Sequence, residues 1–388
     1  MALRGRAHTR IGLDQEVAAL RSAATYPERV RHVEAIETHF AWVFLAGRYA
    51  YKLKKPVRQA AMDYRRLAAR ERGCREELRL NRRFAPNAYL AVVPLTVRNG
   101  SLVIGAGGRV VDWLVKMRRL SPEGMLDRTL RRRALHRSEL DRLCSRLAVL
   151  FARSEPAPTG QEEYVARLRR EVGENRRALR GAAARDCAAL ANALSETQRE
   201  FIGRAGDLLA ARAAHVVEGH GDLRAEHIHL GPPVRIIDCL EFSRALRLLD
   251  PVEELAFLSL EVGRLRRPRL GAEIVRRVCA LRGDPVPEAV VSFYTSHRAS
   301  TRAKLSLWHV RDPQYPDSRP WIARTRSYLE DAYRTALLAI RLLEGEASHA
   351  IDGWPAIEQR RGGLTRKHAR SRLREQWGNP DNAHSVAR

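Results

Sequence analysis

The chain predicts an α+β protein: a small antiparallel β-rich part with one helix, then a larger and mainly helical part holding one polar hairpin. Two observations carry the prediction. Up to residue 117, short runs rich in aromatic and β-branched residues alternate with tight-turn signals, as strands joined by hairpins do. After Ser121 long Pro-poor segments follow one another as candidate helices, and a single strand-like stretch interrupts them. The transition falls near residues 117–122.

In chain order, residues 1–29 form a polar lead with one short helix at 14–23. Strands follow at 33–37, 39–45 and 49–57, with Gly47-Arg48 as the turn between the second and third. Segment 63–84 is charged and free of Pro, and Leu67, Leu78, Leu80 and Phe84 give it apolar positions, so it reads as a helix. Strands at 89–97, 102–104 and 110–117 are separated by Asn99-Gly100 and by the glycines of 105–108. Helices are expected at 138–152, 162–179, 195–214, 251–265, 272–281, 287–308 and 321–343. The last segment is basic and poor in apolar residues, which reads as a mobile tail. The expected division is a lead at 1–29, a small lobe at 30–119, a helical lobe at 120–345 and a tail at 346–388.

Composition bounds the function. No apolar run is long enough to span a bilayer, and the mean hydropathy is −0.40. The N-terminal M-A-L-R-G-R-A-H-T-R lacks the apolar core of a signal peptide, so the expectation is a cytoplasmic protein with no membrane partner. Five scattered cysteines form no C-x-x-C pair, which argues against a disulfide framework or a cysteine zinc site. A net charge of +25 favours anionic partners such as nucleotides or phosphorylated metabolites. Nucleic acid is open through charge alone, because no nucleic-acid motif accompanies it.

The chemistry gathers between Glu218 and Phe242, E-G-H-G-D-L-R-A-E-H-I-H-L-G-P-P-V-R-I-I-D-C-L-E-F. Residues 228–230 and 234–237 read as two short strands around Gly231-Pro232-Pro233. An antiparallel hairpin would bring Asp238 beside Glu226 and His227, and acidic groups with an imidazole suit a divalent cation and a catalytic carboxylate. Asp222 is the general-base candidate, Asp238 the metal ligand and His227 a second ligand. His220, between two glycines, reads as a holder of the loop. A rival is a metallohydrolase with His220, His227, His229 and Asp238 as ligands; alternation turns His229 the other way, and no helical H-x-x-x-H pair is present.

In the first half, Y-A-Y-K-L-K-K-P puts Ala50, Lys52 and Lys54 on one strand face, where an ammonium next to a small residue suits phosphate. Glu77 shares a helix face with Leu80 and Phe84 and could pair with Lys52; Glu76 is nearly in phase. Tyr294, Arg298 and Arg302 recur every fourth residue, a stripe that would hold an anionic acceptor if it faced a cleft and a solvated arginine face otherwise.

H-G-D-L-x-x-x-H followed by an I-I-D strand resembles the catalytic hairpin of the aminoglycoside phosphotransferase and choline kinase-like enzymes, which share the bilobal protein-kinase-like fold. E-T-H-F-A-W-V-F-L-A-G-R-Y-A-Y-K-L-K-K-P, C-R-E-E-L-R-L-N-R-R-F-A-P, D-W-L-V-K-M-R-R-L, D-C-L-E-F and F-Y-T-S-H-R-A-S-T-R-A-K are similar to a bacterial group of such enzymes. The resemblance spans roughly residues 30–345.

The resemblance implies a kinase that moves the γ-phosphoryl group of ATP or GTP, with Mg²⁺ or Mn²⁺, to a hydroxyl of a small molecule. Lys52 would touch the α- and β-phosphates with Glu77 as its partner, Asp222 would act on the acceptor hydroxyl, and Asp238 would bind the metal. Lys116, Met117, Arg118 and Arg119 would form the hinge against the purine. Glu254 falls where relatives carry an acid that supports the catalytic loop. Two departures stand out. Position 227 is His where most relatives have Asn, a poorer donor for Mg²⁺, so a nucleotide-binding pseudokinase is the alternative. The Glu37-Thr38-His39 loop has no Gly-rich cradle, which agrees with the phosphotransferase branch. Some members carry an added P-loop domain; no G-x-x-x-x-G-K-(S/T) occurs here, so the stand-alone form is expected.

Overall fold

The computed structural model describes residues 11–59, 62–180, 187–310 and 317–345. The expected tail at 346–388 lies outside them. The described residues divide into two compact units, 11–122 with 235–244, and 123–234 with 245–345. The α+β class is what the structure has, the sheet in the first unit and most of the helix in the second. The division falls at Pro122, and the segment holding Asp238 groups with the sheet.

The first unit is a six-stranded antiparallel sheet of β1 (Val33–Glu37), β2 (Ala41–Ala46), β3 (Tyr49–Lys54), β4 (Tyr89–Arg98), β5 (Ser101–Ile104) and β6 (Arg109–Arg118), in the order β1-β2-β3-β6-β4-β5. Gly47 and Gly100 supply the left-handed backbone of the two hairpin turns, at φ 58° and 79°. The second strand starts at Ala41 rather than at 39, because Thr38 closes a tight turn. Its Oγ1 donates to the Ala41 carbonyl at 2.8 Å and accepts the Ala41 N–H at 3.1 Å, leaving His39 and Phe40 at the tip. β3 ends at Lys54, and Pro56, which has no N–H for a ladder, follows two residues later.

Helix α1 (Leu13–Leu20) covers one sheet face, burying Val17 and Leu20 against Phe44, Tyr51, Leu53, Leu95 and Leu114. Each such fully buried side chain contributes about 1.5–3 kcal/mol. Helix α2 (Leu67–Phe84) joins Cys74 to Tyr89 and Val115 in a separate cluster. It begins at Leu67 rather than at 63, because Met62–Asp63 pairs as a short strand with Arg58–Gln59. Period-2 alternation in β3 thus sends Tyr51 and Leu53 to the α1 face and Lys52 and Lys54 to the other.

The second unit is built from α3 (Leu126–Arg132), α4 (Arg137–Ala152), α5 (Gln161–Leu179), α6 (Ala188–Arg204), α7 (Gly206–Ala211), α8 (Pro251–Arg264), α9 (Pro268–Arg282), α10 (Glu288–His309) and α11 (Arg319–Leu343). The helix expected at 195–214 is two helices, broken at Ala205-Gly206, and α9 begins earlier than 272 because Pro268 occupies the helix start. The core joins Leu194 of α6, Phe257 of α8, Ala299 and Ala303 of α10 and Tyr328, Leu329 and Ala332 of α11. No described helix is long and apolar enough to cross a membrane.

Candidate functional site

In the first unit the helix face that carries Cys74, Glu77, Asn81 and Phe84 is buried, and it carries its carboxylate to the two lysines of β3. Lys52 Nζ lies 3.0 Å from Glu77 Oε1 and 2.6 Å from Asp238 Oδ1. Lys54 Nζ lies 2.5 Å from both Glu77 Oε2 and Glu241 Oε1, and the Tyr64 hydroxyl donates to Glu241 at 3.0 Å. Burial opposes both ammonium charges, but Asp238, Glu77 and Glu241 outweigh it and hold Lys52 well above the ordinary lysine range. Glu241 and Glu77 likewise raise Lys54 against burial and the charge of Lys52. Burial disfavours the Glu241 carboxylate too, yet Lys54 and Lys52 leave its pKa lowered. Glu76, the competing helix acid, points away and pairs with Arg79 on the surface at 2.7 Å.

Asp238 is 47 % exposed at its side chain, against 0 % for Glu77 and 10 % for Glu241. Its backbone is in the left-handed region at φ 64°, which Asp tolerates better than most residues. Two hydrogen bonds pin it there. The Asp238 N–H donates to Tyr89 Oη at 3.1 Å, and the Cys239 N–H donates to Asn81 Oδ1 at 2.9 Å. The sheet and α2 therefore fix where this carboxylate stands.

The expected hinge ends β6. Lys116 turns its side chain to the Tyr face, where its ammonium pairs with Glu28 and lies 4.2 Å from the Tyr49 ring centroid. Met117 packs with Tyr89 and Val115. The Arg118 N–H donates to the Ala88 carbonyl at 2.8 Å and the Arg119 N–H to Arg48 at 3.0 Å, so these two donors are already engaged.

In the second unit the G-H-G-D loop lies on the first turn of α8. Asp250 caps that helix, accepting the Val252 N–H at 2.9 Å, and Pro251 takes its first position. This start points Glu254 at the loop, where it accepts the His220 N–H at 3.0 Å and the Gly221 N–H. Burial raises the Glu254 pKa although both N–H groups stabilise its charge. The two glycines are needed for different reasons. Gly221 is left-handed at φ 85°, and a Cβ at Gly219 would lie 2.6 Å from Glu254 Oε2.

The loop then folds on its own side chains. His220 Nδ1 accepts the Asp222 N–H at 3.3 Å, and His227 Nδ1 bonds the Asp222 carbonyl at 2.9 Å. A carbonyl only accepts, so Nδ1 of His227 carries the proton and Nε2 is the basic nitrogen of the neutral ring. Burial opposes the Asp222 charge, yet Arg224, His227, Arg302 and His220 together leave its pKa below the ordinary aspartate range. His229 packs away from this group, accepting the Gly231 N–H at 3.2 Å.

The Tyr294, Arg298 and Arg302 stripe does not hold together as one surface. Tyr294 is fully buried, its hydroxyl 2.6 Å from Tyr164 Oη and 3.1 Å from Asp250. Arg298 instead braces the loop, donating to the Gly221 carbonyl at 2.9 Å with its guanidinium 4.6 Å from the Phe257 ring centroid. Sequence reasoning missed that role, and it missed Lys54 and Glu241. Alternation already put Lys54 beside Lys52, and D-C-L-E-F placed Glu241 three residues past Asp238, but neither pattern names a partner.

No family model matches the chain. Uncharacterised proteins of Mycobacterium tuberculosis and Mycobacterium bovis are 31 % identical over 279 residues, covering 70 % of this chain and 54 % of theirs. The chain thus spans about half the length of the curated relatives it matches. Among solved structures, a choline/ethanolamine kinase family protein of Mesorhizobium loti is similar over 85 % of this chain and 99 % of its own, at 16 % identity and a TM-score of 0.48. A choline kinase of Cryptosporidium parvum is similar over 88 % and 99 %, at 12 % identity and a TM-score of 0.47. An aminoglycoside phosphotransferase of Streptomyces rimosus, in complex with ADP and streptomycin, is similar over 75 % and 98 %, at 18 % identity and a TM-score of 0.42. The solved structures to which the chain is similar include choline/ethanolamine kinases, aminoglycoside phosphotransferases and glucosamine kinase.

Proposed function

We propose that the protein is a cytoplasmic small-molecule kinase that moves the γ-phosphoryl group of ATP, or GTP, to a hydroxyl of an acceptor. One observation carries the reading: Lys52 is held charged between buried Glu77 and half-exposed Asp238. A fixed ammonium suits the α- and β-phosphates, and a carboxylate that reaches solvent suits a hard cation. Three carboxylates face two ammonium groups in this cluster, and Asp238 is the exposed one. Asp238 would therefore hold Mg²⁺ or Mn²⁺. The ion would supply charge neutralisation for the phosphates.

The donor set fits such an ion. Mg²⁺ is commonly held by one or two carboxylates plus the phosphates of the nucleotide rather than by a protein cage. Among the described residues no group of three or more His, Cys, Asp or Glu forms such a cage.

Asp222 would act on the acceptor. A carboxylate with a lowered pKa is ionised at neutral pH and is a weak base. Its main contribution is to accept a hydrogen bond from the hydroxyl and orient it, and it takes the proton as the phosphoryl group transfers. His220, Glu254 and Arg298 hold the backbone around it. A purine at 116–119 would meet backbone groups other than the Arg118 and Arg119 N–H.

The test is transfer from γ-labelled ATP or GTP, with Mg²⁺ or Mn²⁺, to a metabolite extract. Labelled product is expected, and Asp222→Asn lowers its rate about a hundredfold or more. Nucleotide binding without product from any acceptor supports the pseudokinase reading; neither binding nor transfer overturns both.

A further inference from the structure

The second unit carries a concavity of about 370 Å³ lined by Gly173, Arg176, Arg177, Arg180 and Arg199. Three of the arginines come from the end of α5 and its cap, and Arg199 comes from α6. Arg176 is fixed there, its Nε donating to Asn192 Oδ1 of α6 at 3.0 Å. Arg177, Arg180 and Arg199 are exposed, and among the described residues none of them has a carboxylate within ion-pair distance. Elsewhere on this arginine-rich surface the cations commonly pair with acids, as Arg75 does with Glu71, Arg133 with Glu139 and Arg277 with Asp141.

Cations at a helix C-terminus are favoured by the helix dipole, which accounts for the three on α5. It does not account for Arg199, in the middle of α6, converging on them. The floor is a glycine in a helix interior, a position where Gly is costlier than Ala. A Cβ at Gly173 would lie 3.5 Å from Arg177 Nη1 and 3.7 Å from Arg199 Nη2, an ordinary contact, so packing alone does not demand the glycine. Two guanidinium ends thus meet over the smallest residue, and both arginines line the same hollow.

The geometry points to an oxyanion-binding site in this hollow, one that takes a phosphate group. Planar guanidinium groups match phosphate oxygens in forked pairs, and four of them repel one another until an anion enters. The arginines converge on one hollow rather than lie along a track, which favours free phosphate or a phosphorylated metabolite over a nucleic-acid strand. The site uses none of Lys52, Asp222 or Asp238 and stands independently of the kinase reading.

The test is thermal unfolding of the full chain titrated with inorganic phosphate, with a hexose monophosphate, and with chloride at matched ionic strength. Saturable stabilisation by phosphate beyond chloride is expected. In Arg177→Ala/Arg199→Ala the affinity falls about tenfold or more, and in Arg75→Ala, whose arginine pairs with Glu71 on the surface, it is kept. A hexose monophosphate that binds more tightly than phosphate identifies a phosphorylated metabolite; equal or weaker binding identifies free phosphate. Stabilisation that chloride matches, or that the double variant retains in full, overturns the site.

Discussion

Lys52 and Asp238, 186 positions apart in the chain, meet at 2.6 Å between Nζ and Oδ1. The sheet supplies the lysine, and Tyr89 and Asn81 fix the backbone around the aspartate. Glu77 holds the other side of the lysine. The result is a charged cluster in which only one carboxylate reaches far into solvent.

Glu77 is the buried centre of that cluster, with Lys52 and Lys54 both on it. Replacing it with Gln leaves two ammonium groups short of a counter-charge. Breaking a buried pair in this way costs about 3 kcal/mol or more. Glu76→Gln, at a partly exposed acid that pairs with Arg79 on the surface, changes stability by about 0.5 kcal/mol or less. Urea unfolding of the two variants against the parent measures the difference.

Much of this cluster was legible in the sequence. The alternation of Y-A-Y-K-L-K put Lys52 inward, and the phase of Glu77 with Leu80 and Phe84 put it on the buried helix face. What a period cannot supply is the partner. Tyr294 shares a helix face with Arg298, yet one is buried on Asp250 and the other braces Gly221. The grouping of residues 235–244 with the sheet was equally hidden, because it depends on Tyr89 and Asn81 from distant elements. His39 and Phe40 read as strand residues by type, and only the Thr38 turn overrules them.

Gly219→Ala tests how the G-H-G-D loop is held. The added methyl would meet Glu254 Oε2 at 2.6 Å, so Glu254 must shift away from the N–H groups of His220 and Gly221. Overpacking of this kind costs about 1–3 kcal/mol. Thermal unfolding measures it, and an unchanged midpoint would show that Glu254 moves freely.

Glu16 gives the first unit a pH dependence. It is buried beside Asp112, and Arg70 binds Asp112 at 2.8 Å. Burial first, then Asp112, raise the Glu16 pKa to about 8, with Arg70 opposing them. The folded form therefore keeps a proton that the unfolded chain releases above about pH 4.5. The contribution of Glu16 to stability is complete below that value and is lost as the pH rises toward 8, with a slope of up to about 1.4 kcal/mol per pH unit. Unfolding free energies across this range are expected to fall in the parent, and Glu16→Gln removes this part of the fall. Equal slopes in the two proteins would contradict the assignment.

The central claim is that the Lys52–Asp238 cluster binds a nucleotide through a divalent ion, and calorimetric titration with ATP tests it most directly. ATP is expected to bind in the presence of Mg²⁺ or Mn²⁺ and to bind far more weakly with EDTA. Lys52→Ala and Asp238→Asn each weaken metal-dependent binding about tenfold or more. ATP that fails to bind with either ion, or that binds equally well with EDTA and to Asp238→Asn, would contradict the account.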